Sequence, residues 1–372
     1  MANGSTRAPA QVPPGVQCFY GDEARRRRAI EERVVAVFEG WDYEEIIPPL
    51  FDYADVFGGE LQARTYSFVG RDGSLLALRP DFTSLLAKIA AGRLAQRPAP
   101  LRLYYSGEVL RYEPPRAGRQ NELYQMGLEL LGGQRVAADA EVLAIAAECL
   151  EAAGVLDFVL TLGHVGVFAG LTAGLGLDET ALELLRERVE SKSAEGVGEA
   201  LAAAGVPEEA RGPLMALTGL AGDAAVLAEA RLLCLRAPQA LAALDELGAT
   251  VQALEAAGLT RHVTLDLGEV RGFDYYTGLV FRAYAAGLGF EVGAGGRYDQ
   301  LLARFGRPLP AIGFMLGLDR LALLLERRGA LPSAERPPHE GVHGQELGAR
   351  LRRARLLRAR GRRVRFQDGG EP

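Results

Sequence analysis

An α+β fold, with helices flanking a set of strands and a helical insertion interrupting it, is what the 372-residue sequence predicts. Three observations predict it. RLYYSGEVLRYE (102–113) and NELYQMGLELLG (121–132) read as a strand pair joined by a loop holding two prolines, a glycine and two arginines. Residues 170–260 become Ala/Leu/Glu/Gly-rich with helical spacing and almost no aromatics. Strand character then returns at HVTLDLGEV and runs through RGFDYYTGLVF towards a final Leu-rich helix.

The elements follow in order. DEARRRRAIEERVVAVFEG reads as an acid-capped amphipathic helix over residues 22–39, followed by a short Tyr/Ile strand ended by Pro48 and Pro49. The consecutive arginines Arg25 to Arg28 face different sides of that helix, so they read as a solvated or dimer-rim face. RTYSFVGRDGSLLALRPD (64–81) predicts a hairpin turning at Arg71-Asp72-Gly73, then a helix from about Thr83 to Leu94. In the strand 121–132, alternation puts Leu123, Gln125, Gly127 and Glu129 on one face and Tyr124, Met126, Leu128 and Leu130 on the other. The second face is core; the first is either a half-exposed surface or a polar site. An Ala/Leu helix over 137–153, the strand DFVLTLGHVGVF and a last helix over 317–328 complete this part. The tail predicts one basic helix, with Leu351, Leu356 and Leu357 beneath its arginines, and one strand. The domain plan expected is a flexible start (1–15), a core made of 16–169 and 261–328, a helical insertion (170–260), and a linker with a short basic tail (329–372).

Composition limits the function classes. A formal charge of −6 argues against a surface devoted to nucleic acid, and only Lys88 and Lys192 among 42 basic residues are lysines, an arginine bias spread along the whole chain. Cys18, Cys149 and Cys234 show no CxxC spacing, so neither a disulfide framework nor a cysteine zinc site is expected. The first fifteen residues lack an apolar signal core and no segment reaches membrane-spanning length, which predicts a cytoplasmic protein with no membrane partner. His339 and His343 lie four apart among glycine and proline and are not expected to hold metal. P-loop, dinucleotide and nucleophile-elbow patterns are absent, and no cofactor is expected.

What remains is a polar constellation. Asp81 and Thr83 follow Arg79-Pro80; Arg111, Arg116 and Arg119 surround a loop; Gln125 and Glu129 share a strand face; Arg271, Tyr275 and Tyr276 open a glycine-rich stretch. The run Gly293-Ala294-Gly295-Gly296 suggests a sharp turn or a close approach of backbone to a ligand. Buried carboxylates need a cation, and an arginine offers a carboxylate two parallel hydrogen bonds. A free amino acid with a basic side chain suits the mixture, with Asp81 and Glu129 for its positive groups and Arg271 for its carboxylate.

RGFDYYTG and GAGGRYD resemble the two histidine-specific signatures of histidyl-tRNA synthetases, and the rest of residues 15–328 resembles the class II synthetase core. IIPPLFDYADVF is similar to the first class II motif, LRLYYSGEVLRYEPPRAGRQNELYQMGLELLG to the second and PAIGFMLGLDRLALLLE, with Arg320, to the third. The resemblance implies an antiparallel sheet core and a self-dimer through the first motif. It also implies histidine contacts at Asp81, Thr83, Arg111, Gln125, Glu129, Arg271, Tyr275 and Tyr276, and a residual nucleotide site at Arg119 and Arg320. Departures matter too. Arg79-Pro80-Asp81-Phe82-Thr83 stands where synthetases carry RPEG-T, and the second-motif loop has Tyr112, Pro114, Asn121 and Tyr124 in place of its usual arginines and histidine. The 44 residues after 328 fall short of the anticodon-binding domain of about a hundred residues that a synthetase implies. This combination resembles the synthetase-like regulatory subunits of ATP phosphoribosyltransferase. It implies a chain with no complete catalytic activity alone, binding short catalytic subunits in a hetero-octamer, activating them and permitting histidine feedback, with no tRNA partner. The alternative is a truncated histidyl-tRNA synthetase or an amino-acid-activating relative. A nucleic-acid-binding reading rests on the Arg350–Arg365 tail.

Overall fold

The computed structural model describes residues 12–58, 60–112, 120–271 and 275–367. An extended start is pinned at Gly15, whose carbonyl accepts from the backbone N–H groups of Asn121 and Glu122 (2.8 and 3.2 Å). Helix α1 (Gly21–Gly40) carries Asp22 and Glu23 in its first turn, where the helix dipole favours negative charge. Its Ile30, Val34, Val37 and Phe38 recur at helical spacing and are buried. Strand β1 (Glu44–Glu45) stops ahead of Pro48. Next come β2 (Phe51–Tyr53), the single turn α2 (Glu60–Ala63), β3 (Ser67–Val69) and β4 (Leu75–Leu78), with the strands forming a small sheet in the order β2-β4-β3. The β3–β4 turn lies where the sequence put it, and Gly73 takes φ +85°, which a residue without Cβ adopts freely.

Helix α3 (Thr83–Ala91) leads to the long pair β5 (Leu101–Leu110) and β6 (Glu122–Leu131), then to α4 (Arg135–Ala153), closed by Gly154 in the left-handed conformation. After β7 (Phe158–His164), six helices follow: α5 (Val165–Thr172), α6 (Glu179–Glu190), α7 (Ala194–Ala203), α8 (Glu208–Leu217), α9 (Val226–Leu233) and α10 (Pro238–Ala256). The two-residue β8 (Ala221–Gly222) interrupts them. Asp178 and Ser193 cap α6 and α7 by accepting from the backbone N–H groups of Ala181 and Gly196, the usual task of such residues at helix starts. The chain returns through β9 (Val263–Asp266), β10 (Leu279–Ala285), β11 (Gly293–Arg297), β12 (Ala311–Gly317) and α11 (Leu318–Arg327).

The large sheet has the order β1-β5-β6-β12-β11-β10-β7-β9-β8. Its central strands pair antiparallel, as expected, while β1–β5 and β7–β9 pair parallel, so the sheet is mixed. One face packs against α1, α4 and α11 around Phe38, Val142, Leu150 and Leu321. Register fixes what the other face presents. One row across the strands reads Val280, Gly296, Gly313, Glu129, Leu103; the next reads Arg282, Ala294, Met315, Gly127, Tyr105; a third joins Gly317, Gln125 and Gly107. Because side chains alternate, these rows share a face, and glycines pave it beside Glu129, Gln125 and Arg282.

Three expectations change. Gly293-Ala294-Gly295-Gly296 is neither turn nor loop: it is strand β11 in mid-sheet, and its glycines make room for side chains from neighbouring strands. Arg27 is not solvated but pairs with Asp319 at the start of α11 (2.6 Å) and lies over the Phe19 ring. The tail forms β13 (His339–Val342), α12 (Leu347–Ala359) and β14 (Arg363–Phe366), with β13 and β14 parallel where a linker and one strand were expected. Leu351 and Leu356 do not lie beneath the arginines; they are 48% and 62% exposed, and Ala354 is the one buried residue of α12. Five residues at about 100° each put these two leucines some 140° apart, so they never shared a face.

Candidate functional site

The glycine-paved face holds a small cavity of about 60 Å³, lined by residues that include Thr83, Tyr105, Glu129, Tyr275, Tyr276 and Tyr298. Glu129, 1% exposed, sits at its floor. Its carboxylate accepts from Thr83 Oγ1 (2.7 Å) and from the Tyr298 hydroxyl. Space for it comes from Gly313 opposite in register, where a Cβ would fall 1.7 Å from Glu129 Oε2. Burial pushes the Glu129 carboxyl up to about 8, against the two hydrogen bonds that lower it, and the neighbouring Asp81 charge pushes the same way as burial. Among the described residues no cation is bonded to it.

Asp81 is buried at the entry to α3. Ser84 Oγ donates to its Oδ2 (3.1 Å), and its Oδ1 is buried with no hydrogen-bond partner. Burial raises this carboxyl as well, and Arg111 opposes the shift. Arg111 itself donates from Nε to the Pro80 carbonyl (2.7 Å), and burial lowers its guanidinium in spite of Asp81. The Tyr275 ring stacks on Tyr298 (centroids 5.3 Å apart) and meets Tyr276 edge-on (5.1 Å). All three hydroxyls are raised, chiefly by burial, so each stays a neutral hydrogen-bonding group at neutral pH. Gln125 is buried in the row between Gly107 and Gly317, which settles the two readings of its strand: the polar face is enclosed.

Behind Tyr298 stands Arg297, 1% exposed. It donates twice to Asp139 Oδ1 (2.9 and 2.5 Å), once to Asp299 (3.0 Å) and once to the Arg135 carbonyl (3.0 Å). This buried pair fixes β11 to α4 and so sets where the Tyr298 hydroxyl points.

The structure therefore gathers Thr83, Glu129, Tyr275 and Tyr276 around one cavity, with Asp81 and Gln125 buried and Arg111 half-buried beside it. Arg271 is placed differently: its Nε and one Nη are held by Glu269 (2.9 and 2.5 Å), and that same Nη also reaches the Tyr284 hydroxyl (3.3 Å). Arg320 is held by the carbonyl and carboxylate of Glu291 (2.6 and 2.9 Å). Arg116 and Arg119 lie outside the described residues. Sequence reasoning missed Tyr105, Tyr298, Glu269 and Glu291. Tyr298 had a signal, since it follows Arg297 inside GGRYD; the others had none beyond residue type. A larger cleft of about 240 Å³, lined in part by Phe19, Arg27, Glu31, Tyr124 and Asp319, opens on the opposite face of β6, where the ionic groups Arg27, Asp319, Arg28 and Glu31 are already paired.

Comparison with known proteins adds the lineage. The family model described as histidyl-tRNA synthetase matches residues 15–321. An ATP phosphoribosyltransferase regulatory subunit of Moorella thermoacetica is 41% identical over 365 residues, covering 97% of this chain and 92% of the relative. A crystal structure described as an ATP phosphoribosyltransferase regulatory subunit/histidyl-tRNA synthetase from Bacillus halodurans superposes with TM-score 0.84 at 30% identity, over 97% of this chain and 93% of that one. A histidyl-tRNA synthetase from Nostoc, 23% identical with TM-score 0.80 over 98% and 88% of the two chains, shares the fold.

Proposed function

We infer the function from one premise: the chain belongs to the histidyl-tRNA synthetase family, among its ATP phosphoribosyltransferase regulatory subunits. On that premise it binds the short catalytic subunit of ATP phosphoribosyltransferase in a hetero-octamer, is required for its activity, performs no complete reaction alone and conveys feedback by histidine. The observation that carries the ligand half of this reading is Glu129: a buried carboxyl with no cation bonded to it among the described residues, beside the unbonded oxygen of Asp81. A ligand bringing an ammonium and an imidazole supplies what these groups lack. Thr83, Gln125, Tyr275 and Tyr276 would orient it, Arg111 would hold Asp81 in place, and Arg271 would meet the ligand carboxylate by sharing its guanidinium with Glu269. The engagement of Arg271 and Arg320 by chain carboxylates supports the non-catalytic reading, since a phosphate would have to share each guanidinium with a carboxylate already bonded to it.

The test is ATP phosphoribosyltransferase activity of the short catalytic subunit from the same organism, with and without this chain and with added histidine. Activity should rise on mixing and fall with histidine, and Glu129→Gln should weaken the histidine response by about tenfold or more, the cost of a lost charged hydrogen bond in a buried site. No effect on that enzyme, with histidine-dependent pyrophosphate exchange by this chain alone, would mean synthetase chemistry persists.

Self-association is proposed through the small sheet, where Phe51, Phe68, Val69 and Leu75 form an exposed apolar group. Val69→Asp should give a monomer in sedimentation; an unchanged dimer sinks that surface.

A further inference from the structure

Three arginines, Arg271 in the turn after β9, Arg282 on β10 and Arg320 on α11, lie beside the cavity, and two carboxylates are threaded between them. Glu269 accepts from Arg271 (2.9 and 2.5 Å) and from Arg282 Nε (3.2 Å). Glu291 lies 3.8 Å from Arg282 and accepts from Arg320 (2.9 Å). The order Arg271, Glu269, Arg282, Glu291, Arg320 is thus a continuous alternation of charge. Arg282 stands in the same register row as Ala294 and Met315, which line the cavity, and both Arg282 and Glu269 act electrostatically on Tyr276 in its wall.

Three guanidiniums this close are, taken alone, the chemistry of a phosphate site: planar, permanently charged forks suited to tetrahedral oxyanions. The two glutamates change that. Burial works to raise both carboxyls, yet the hydrogen bonds and charges of the arginines outweigh it and hold both below their usual value, so both are ionised at neutral pH. Any incoming phosphate must displace a bonded carboxylate or share a guanidinium with it, and in either case it sits beside that carboxylate, a like-charge contact. We propose that Glu269 and Glu291 are specificity-determining residues that keep phosphorylated ligands off the rim, leaving the cavity to an amino acid without a phosphoryl group. This deepens the ligand-pocket reading above and rests on it.

The experiment is calorimetric titration of the full chain with inorganic pyrophosphate, comparing the parent with Glu269→Gln, Glu291→Gln and the double variant. Glutamine keeps the shape and removes the charge. The double variant should bind pyrophosphate about tenfold or more tightly than the parent, with a gain that shrinks as salt is added. Glu291→Gln alone, at a partly exposed position that does not risk the fold, should give a smaller gain of the same sign. Equal affinity in parent and folded variants overturns the proposal, as does a parent that already binds pyrophosphate as tightly as the double variant. Histidine titrations on the same samples separate the two ideas. A parent that binds no histidine refutes the pocket reading, whereas the pyrophosphate comparison stands on charge alone.

Discussion

Glu129 and Glu269 are the same residue type on one sheet system, 1% and 6% exposed, yet they titrate in opposite directions. Glu129 at the cavity floor is bonded to two neutral hydroxyls and rises to about 8; Glu269 at the rim is bonded to two arginines and falls. Both are buried and burial raises both, so partners decide the sign. The floor therefore suits a cation, while the rim's three arginines are already paired with two carboxylates from within the chain. A ligand drawn to this region gains more from bringing positive charge to the floor than negative charge to the rim.

The comparison breaks most severely where the floor is held in place. Arg297→Met removes the cation between Asp139 and Asp299 and leaves a buried carboxylate unpaired, which should cost about 3–5 kcal/mol of stability in chemical denaturation. A loss below about 1 kcal/mol would mean the pair does not position β11.

A subtler outcome sharpens the contrast. The Glu129 carboxyl is raised in the folded chain above its ordinary value of 4.5, so the unfolded chain ionises first. Its contribution to stability is fully present below about pH 4.5 and is lost as pH rises through about 8. Within that window stability should fall by up to about 1.4 kcal/mol per pH unit from this group, and Glu129→Gln should flatten the slope. Denaturation curves at pH 5, 6.5 and 8 for parent and variant (about one and a half units apart) decide it: parallel slopes would mean Glu129 does not titrate as its surroundings imply.

Much of this was legible in the sequence. Helix α1, the β3–β4 turn, the β5–β6 pair and the helical run after β7 followed from periodicity and glycine placement, because each depends on residues close along the chain. Gln125 and Glu129 were visible as a polar face but not as a buried one. The elements that enclose them, α3 and β12, are more than thirty residues away in sequence, and periodicity cannot say what lies over a strand. The same limit hid Tyr298, whose hydroxyl meets Glu129 across 169 residues, and the true nature of β11, where glycine marks neighbours' side chains and not a turn. Glu269 and Glu291 were unreadable for another reason: a carboxylate's partner is set by which strands become adjacent, and only the order β12-β11-β10-β7 brings these charges together.

The tail has a consequence at a scale larger than any pocket. Residues 339–367, which contain β13, α12 and β14, carry nine arginines against two glutamates, while the whole chain has a net charge of −6. The remainder then carries a net charge of −13 against +7 for this segment, so charge is unevenly shared between the two. Such a body feels a torque in the field of an approaching partner as well as a force, so encounters at low ionic strength are oriented before contact is made. At physiological salt that orientation persists only within about 8 Å of the surface, which makes it a property of the final approach.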